Sequence, residues 1–137
     1  MKEEELFDGF ADEKELMYSQ EARLLYGEDE VSATDKRWKN FSAQEKSAIK
    51  AEGQAIYQDM ARLLEQGQDP NSLEVQQIVA RWHQHLRYFY EPSLERLSGL
   101  GRLYTQSPDF SENFNRIRAG LPEYLNRAIQ AYCLDKR

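Results

Sequence analysis

Between "GQDP" and Pro92 the apolar residues Val75, Ile78, Val79, Trp82, Leu86, Phe89 and Tyr90 recur at three- and four-residue spacing. That is the period of one buried helical face, and it is incompatible with the two-residue alternation of a half-buried strand. Asn71 and Glu74 offer a capping box ahead of the stripe, and the helix must end before Pro92, because the residue preceding a proline disfavours the α conformation. A stripe this apolar has to be covered by other elements. β-branched residues are few and scattered, so no segment reads as a strand able to cover it. The covering elements are therefore helices, and the expected class is all-α.

The remaining stretches supply them. Ser42 and Glu45 form a second capping box, followed by Ile49, Ile56, Tyr57, Met60, Leu63 and Leu64 on one face and by Gly67 as a stop. Pro92 fits the first turn of the next helix, whose stripe is Leu94, Leu97, Gly101 and Tyr104. "SPDF" turns the chain into a short helix lined by Phe110, Phe114 and Ile117. Gly120 then breaks it, and Pro122 opens a last helix burying Leu121, Tyr124, Leu125, Ala128 and Tyr132. At 137 residues the chain makes one domain, large enough to bury about two thirds of its unfolded surface.

The first forty residues are different. Leu16, Met17, Tyr18, Leu24 and Leu25 spread around the helical wheel, and "GEDEVSATDKRWKN" runs polar up to Trp38. Such a segment buries little, yet Phe7, Phe10, Met17 and Trp38 are costly to leave in water. Two accounts stay open: an arm that folds down over something apolar, or a loosely packed terminus. The expected organisation is a mobile arm over residues 1–40 and a helical core over 41–137.

The net charge of -6 and a sequence pI near 5.0 argue against direct nucleic-acid contact through an electrostatic footprint. There is no apolar run of the ~18 residues that a membrane-spanning helix needs, and "KEEEL" lacks the features of a secretory signal. A single cysteine, Cys133, suits a reducing compartment, so the expected location is cytoplasmic. No nucleophile elbow, phosphate-binding loop or dinucleotide fingerprint occurs, and the chain is not expected to be an enzyme.

Two constellations invite a ligand reading. "WHQH" places His83 and His85 two residues apart, about 200° around a helix, so they cannot grip one metal from the same helix. No metal or cofactor is expected. His85 can instead point a polar tip into a binding site, and a haem-binding role would need it as the proximal ligand. "RYFY" puts three aromatics in succession, which a single helical face cannot bury together. At least one of them must face a second helix, solvent or a ligand cleft.

"LFDGF", "LLYG", "FYEPSLERLSGLGRLYTQSPDF" and "GLPEYLNRAIQAYC", in this order from Leu6 to Cys133, resemble the TipAS antibiotic-recognition domain. The resemblance implies a globin-like all-α fold with a flexible N-terminal arm. It also implies effector binding, either as part of MerR-type transcription activators or as a stand-alone drug-sequestering protein. Thiopeptide-responsive members carry two cysteines seven residues apart, the second capturing the ligand covalently. The matching positions are Pro92 and Gly99, so binding here is expected to be noncovalent. Gly101 lies on the core stripe and permits close helix approach, whereas Gly99 lies off it and reads as floor space in a cleft. The implied site for a bulky, largely apolar antibiotic is Trp38, Trp82, His85, Phe89, Tyr90, Pro92, Arg96, Gly99 and Leu103. The implied state is a monomer alone and a dimer when joined to a DNA-binding half. A protein-interaction module and a haem binder are the competing classes.

Overall fold

A computed structural model describes residues 36–136. Residues 36–40 are helical, and five helices follow: α1 (Ala43–Glu65), α2 (Leu73–Leu86), α3 (Leu94–Gln106), α4 (Pro108–Ile117) and α5 (Leu121–Lys136). Among the described residues there is no strand, and no helix is long and apolar enough to cross a membrane. Phe7, Phe10 and Met17, and with them most of the expected arm, lie outside the described residues. The described part falls into two compact units, one of residues 36–54 with 85–91, the other of 55–84 with 92–136.

Local chemistry sets the helix ends. The Ser42 capping box forms in both directions: the Glu45 N–H donates to Ser42 Oγ (3.0 Å) and the Ser42 N–H to Glu45 Oε1 (2.8 Å). Those bonds hold the Glu45 carboxyl below its ordinary pKa. Gly67, at φ +73°, closes α1 in the left-handed conformation that glycine adopts without strain. Gly120, at φ +88°, makes the turn before α5.

Three boundary expectations need correction. The α2 cap is Ser72, whose Oγ accepts from the Val75 N–H (3.4 Å), while Asn71 sits in a turn donating its N–H to Asp69 Oδ1 (2.7 Å). Asp69 captures the backbone first, so the helix starts after the Asn71–Glu74 pattern. At the other end α2 stops at Leu86, whose carbonyl accepts both the Phe89 N–H (2.9 Å) and the Tyr90 N–H (3.1 Å). Phe89 and Tyr90 thus lie in the terminal turn and are not part of the helical stripe. Pro92 likewise precedes α3: Ser93 is its cap, with Oγ accepting from the Arg96 N–H (3.2 Å).

In the second unit, α3 packs on α4 and α5, and α4 on α5. Its core joins Ile56, Met60, Leu63, Val75, Val79 and Trp82 to Leu97, Leu100, Phe114, Leu121, Leu125 and Ile129, all buried. α3 and α5 approach each other closely at Gly101. A Cβ there would stand 2.9 Å from Asn126 Oδ1 and 3.1 Å from Ile129 Cγ2, so glycine permits the approach the sequence suggested. Polar pairs border this contact: Ser98 Oγ donates to Gln130 Oε1 (2.6 Å), and Gln130 Nε2 donates back to the Ser98 carbonyl (2.8 Å).

Candidate functional site

In the unit of residues 36–54 and 85–91 the aromatic residues gather around one tryptophan. Trp38, 7% exposed, tilts against Phe89 with ring centroids 5.4 Å apart and meets Phe41 edge-on at 6.2 Å. Phe41 meets Tyr88 edge-on at 6.3 Å. The Lys46 ammonium lies 5.4 Å from the centre of the Trp38 ring, within cation–π range. Phe41 and Phe89 are half-buried and Tyr88 is 37% exposed, so the cluster keeps accessible aromatic edge.

His85 holds the terminal turn of α2 to α1. Its Nε2 lies 2.8 Å from the Ile49 carbonyl, and because a carbonyl can only accept, Nε2 carries the proton. The same ring stands edge-on to Tyr88 (5.7 Å) and Phe89 (5.8 Å). The Tyr88 hydroxyl donates to Glu52 Oε1 (3.2 Å), and Arg37 Nη1 donates to the Arg87 carbonyl (3.2 Å). Two side-chain links thus fix residues 85–91 beside α1, and their partners Ile49 and Glu52 stand three residues apart on one helix face.

Burial pushes the His85 pKa below the ordinary value of 6.5, against the opposing pull of the Ile49 bond and the Glu52 charge. The folded pKa is thus lower than the unfolded one. The associated stability is complete above about pH 6.5 and is lost as pH falls, because the unfolded chain takes up a proton that the folded chain resists. The melting temperature should fall between pH 7 and pH 5 in the natural chain. His85→Gln keeps a donor for Ile49 and should flatten that part of the profile; an unchanged slope would show that His85 is not its source.

The other predicted site residues belong to the second unit, except Tyr90, which is half-buried in the same turn as Phe89. Trp82 is 1% exposed, and its Nε1 donates to the Tyr104 hydroxyl (3.4 Å). Tyr57 joins this group, and burial pushes its hydroxyl up to about 12 despite hydrogen bonds to Tyr104 and Trp82. Leu103 and Pro92 are buried, whereas Arg96 and Gly99 are half-exposed on α3. The structure therefore brings Trp38, His85 and Phe89 into one cluster and sets Trp82 among core aromatics. Phe41 was missed by sequence reasoning. Its signal was available: it stands three residues after Trp38 and directly before the Ser42 cap, where an apolar residue packs across the helix entry.

His83 Nδ1 lies 2.9 Å from the Tyr132 hydroxyl. Cys133 is buried, with its thiol directed at the Leu94 carbonyl (3.5 Å). Among the described residues no group of three or more His, Cys, Asp or Glu side chains is arranged to hold a metal ion.

The sequence model of the TipAS antibiotic-recognition domain matches residues 18–132. The chain belongs to this family. It is 32% identical over 138 residues to the HTH-type transcriptional activator mta of Bacillus subtilis (strain 168), covering 97% of this chain and 53% of that protein. It is also 32% identical over 139 residues to the HTH-type transcriptional regulator SkgA of Caulobacter vibrioides (strain NA1000 / CB15N), covering 96% of this chain and 54% of the relative. The TipAS chain spans about half the length of these regulators. Among solved structures, TipAS of the Streptomyces lividans thiopeptide multidrug resistance system, in complex with nosiheptide, superposes with a TM-score of 0.77. That match covers 88% of this chain and 85% of the other at 20% identity, and it shows the all-α TipAS fold.

Proposed function

We propose that this TipAS domain binds a bulky, largely apolar antibiotic or drug noncovalently, with the Trp38 cluster as the principal contact. The observation that carries the reading is the grouping of Trp38, Phe41, Tyr88 and Phe89 with part of their ring surface open, braced by His85. Rings fixed in this way give a ligand large contact area at little cost in side-chain entropy. The solved relative holds a thiopeptide, and the full-length relatives are transcription regulators, which supports an effector-sensing role in a MerR-type activator. A stand-alone, drug-sequestering protein would use the same contacts. The lack of a cysteine at position 92 or 99 favours noncovalent binding, and the buried thiol of Cys133 is engaged elsewhere.

The domain acts by passing ligand binding at the cluster, as a shift between two conformational states, to an attached DNA-binding half. On this reading the chain is monomeric alone and dimeric when so attached, it works in the cytoplasm, and it makes no nucleic-acid contact itself. Titration calorimetry with nosiheptide and a panel of unrelated aromatic antibiotics tests the reading. One compound should bind saturably at one site per chain, and Phe89→Ala should weaken it about tenfold with helical content unchanged. Equal affinity in Phe89→Ala would remove the cluster from the site. A stable homodimer that occludes Tyr88 and Phe89 would favour the protein-interaction reading.

A further inference from the structure

We propose that the ligand of the Trp38 cluster carries a protonated amine, which Glu52 holds beside the rings of Tyr88 and Phe41. The inference rests on the ligand-binding reading above and narrows its chemistry to aromatic molecules bearing an ammonium group.

At the Tyr88 end of the cluster, the polar groups with capacity to spare are acceptors. Glu52 is exposed and accepts from the Tyr88 hydroxyl through one carboxylate oxygen, Oε1 (3.2 Å). Among the described residues no cation pairs with it. Its charge is the largest influence on Tyr88, whose hydroxyl it pushes above the ordinary pKa of 10.0. His85 supplies the second observation. Its one proton sits on Nε2 and is spent on the Ile49 carbonyl, so Nδ1 presents a bare lone pair. The residue is 5% exposed and its ring stands edge-on to Tyr88 and Phe89. Yet Nδ1 accepts from no protein group among the described residues and is not sealed from solvent. A ligand N–H that reaches it gains a hydrogen bond from a ring already held in place.

The aromatic faces supply the third observation. The Lys46 ammonium rests 5.4 Å from the centre of the Trp38 ring, so the cluster stabilises a cation within the protein itself. Tyr88, 37% exposed, and Phe41 offer the same electron-rich surface beside Glu52. Lys46 opposes a second cation only weakly. It lies six residues from Glu52 along α1, about 9 Å of helix rise. That exceeds the Debye length of about 8 Å at physiological salt, whereas Glu52 acts in direct contact. The longer-range field has the same sign as Glu52. Over residues 1–54 and 85–91, Asp and Glu number 15 against 9 Lys and Arg, and the rest of the chain is neutral.

Three probes with one ring system isolate the charge: 9-anthracenemethylammonium, 9-anthracenemethanol and 9-anthracenecarboxylate. Each is titrated into the full chain by calorimetry at neutral pH and physiological salt. The ammonium should bind about tenfold tighter than the alcohol, and the carboxylate should bind weakest. Glu52→Gln keeps an acceptor for Tyr88 and should bring the ammonium down to the alcohol's affinity while leaving the alcohol unchanged. Glu95→Gln removes the same charge outside the unit that holds the cluster, and should leave the preference intact. Circular dichroism checks that both variants keep the fold. Equal binding of ammonium and alcohol, a preference that survives Glu52→Gln, or one that Glu95→Gln abolishes as well, overturns the assignment and leaves the ligand-binding reading in place. Failure of all three probes to bind overturns both.

Discussion

Trp82→Ala is expected to lower the unfolding free energy by about 4 kcal/mol, the range measured when large buried aromatics are truncated. The side chain is 1% exposed, stands edge-on to Tyr104 at 6.3 Å and donates its indole N–H to the Tyr104 hydroxyl. Truncation leaves a cavity and also strips a partner from a hydroxyl shared with Tyr57. Urea unfolding followed by helical circular dichroism measures the change. A loss below about 1 kcal/mol would mean that the surrounding helices collapse into the space, and that Trp82 is not a core anchor.

Gly101→Leu is expected to cost about 3 kcal/mol, at the upper end for overpacked cores. A Cβ at this position already meets Asn126 Oδ1 at 2.9 Å, Ile129 Cγ2 at 3.1 Å and Gln130 Nε2 at 3.2 Å. Gly101→Ala is the informative companion. Its better helix propensity, worth about 1 kcal/mol, offsets part of the crowding, because two of the three neighbours are ends of flexible side chains. The alanine variant should therefore lie close to the natural chain and the leucine variant far below it in the same urea experiment. Similar stabilities for the two would show that α3 and α5 part easily at this point.

Much of the fold was legible because helical periodicity reports burial directly. Ile49, Ile56, Met60 and Leu63 on α1, and Leu97, Gly101 and Tyr104 on α3, are buried as their spacing implied. The Ser42 box and the glycine stops were equally plain, since each satisfies a specific backbone need. The Phe89 and Tyr90 stretch was not. Periodicity runs unbroken to Tyr90, yet the chain leaves the helix at Leu86 and uses those rings in a turn. Nothing in spacing separates one more helical turn from a capping turn when both bury aromatics.

Site residues were harder to read than core residues for a related reason. Trp38, His85 and Phe89 share a cluster because the His85–Ile49 and Tyr88–Glu52 bonds pin a turn against α1. Those are long-range pairings with no sequence pattern of their own. Trp82, by contrast, was drawn into the site by its neighbours in sequence, while its ring is buried against Tyr104. The resemblance to the TipAS family named residues of both groups, the Trp38 cluster and the buried core, and did not distinguish them.

The central claim is that the Trp38 cluster receives the ligand, and a single-tryptophan protein tests it most directly. Trp82→Phe leaves Trp38 as the one tryptophan, at a cost of about 2 kcal/mol that the fold should tolerate. Titrated with the compound that calorimetry identifies, Trp38 emission should change saturably, with the same dissociation constant as the heat signal. Saturable heat with Trp38 emission unmoved would place the ligand elsewhere and contradict the account.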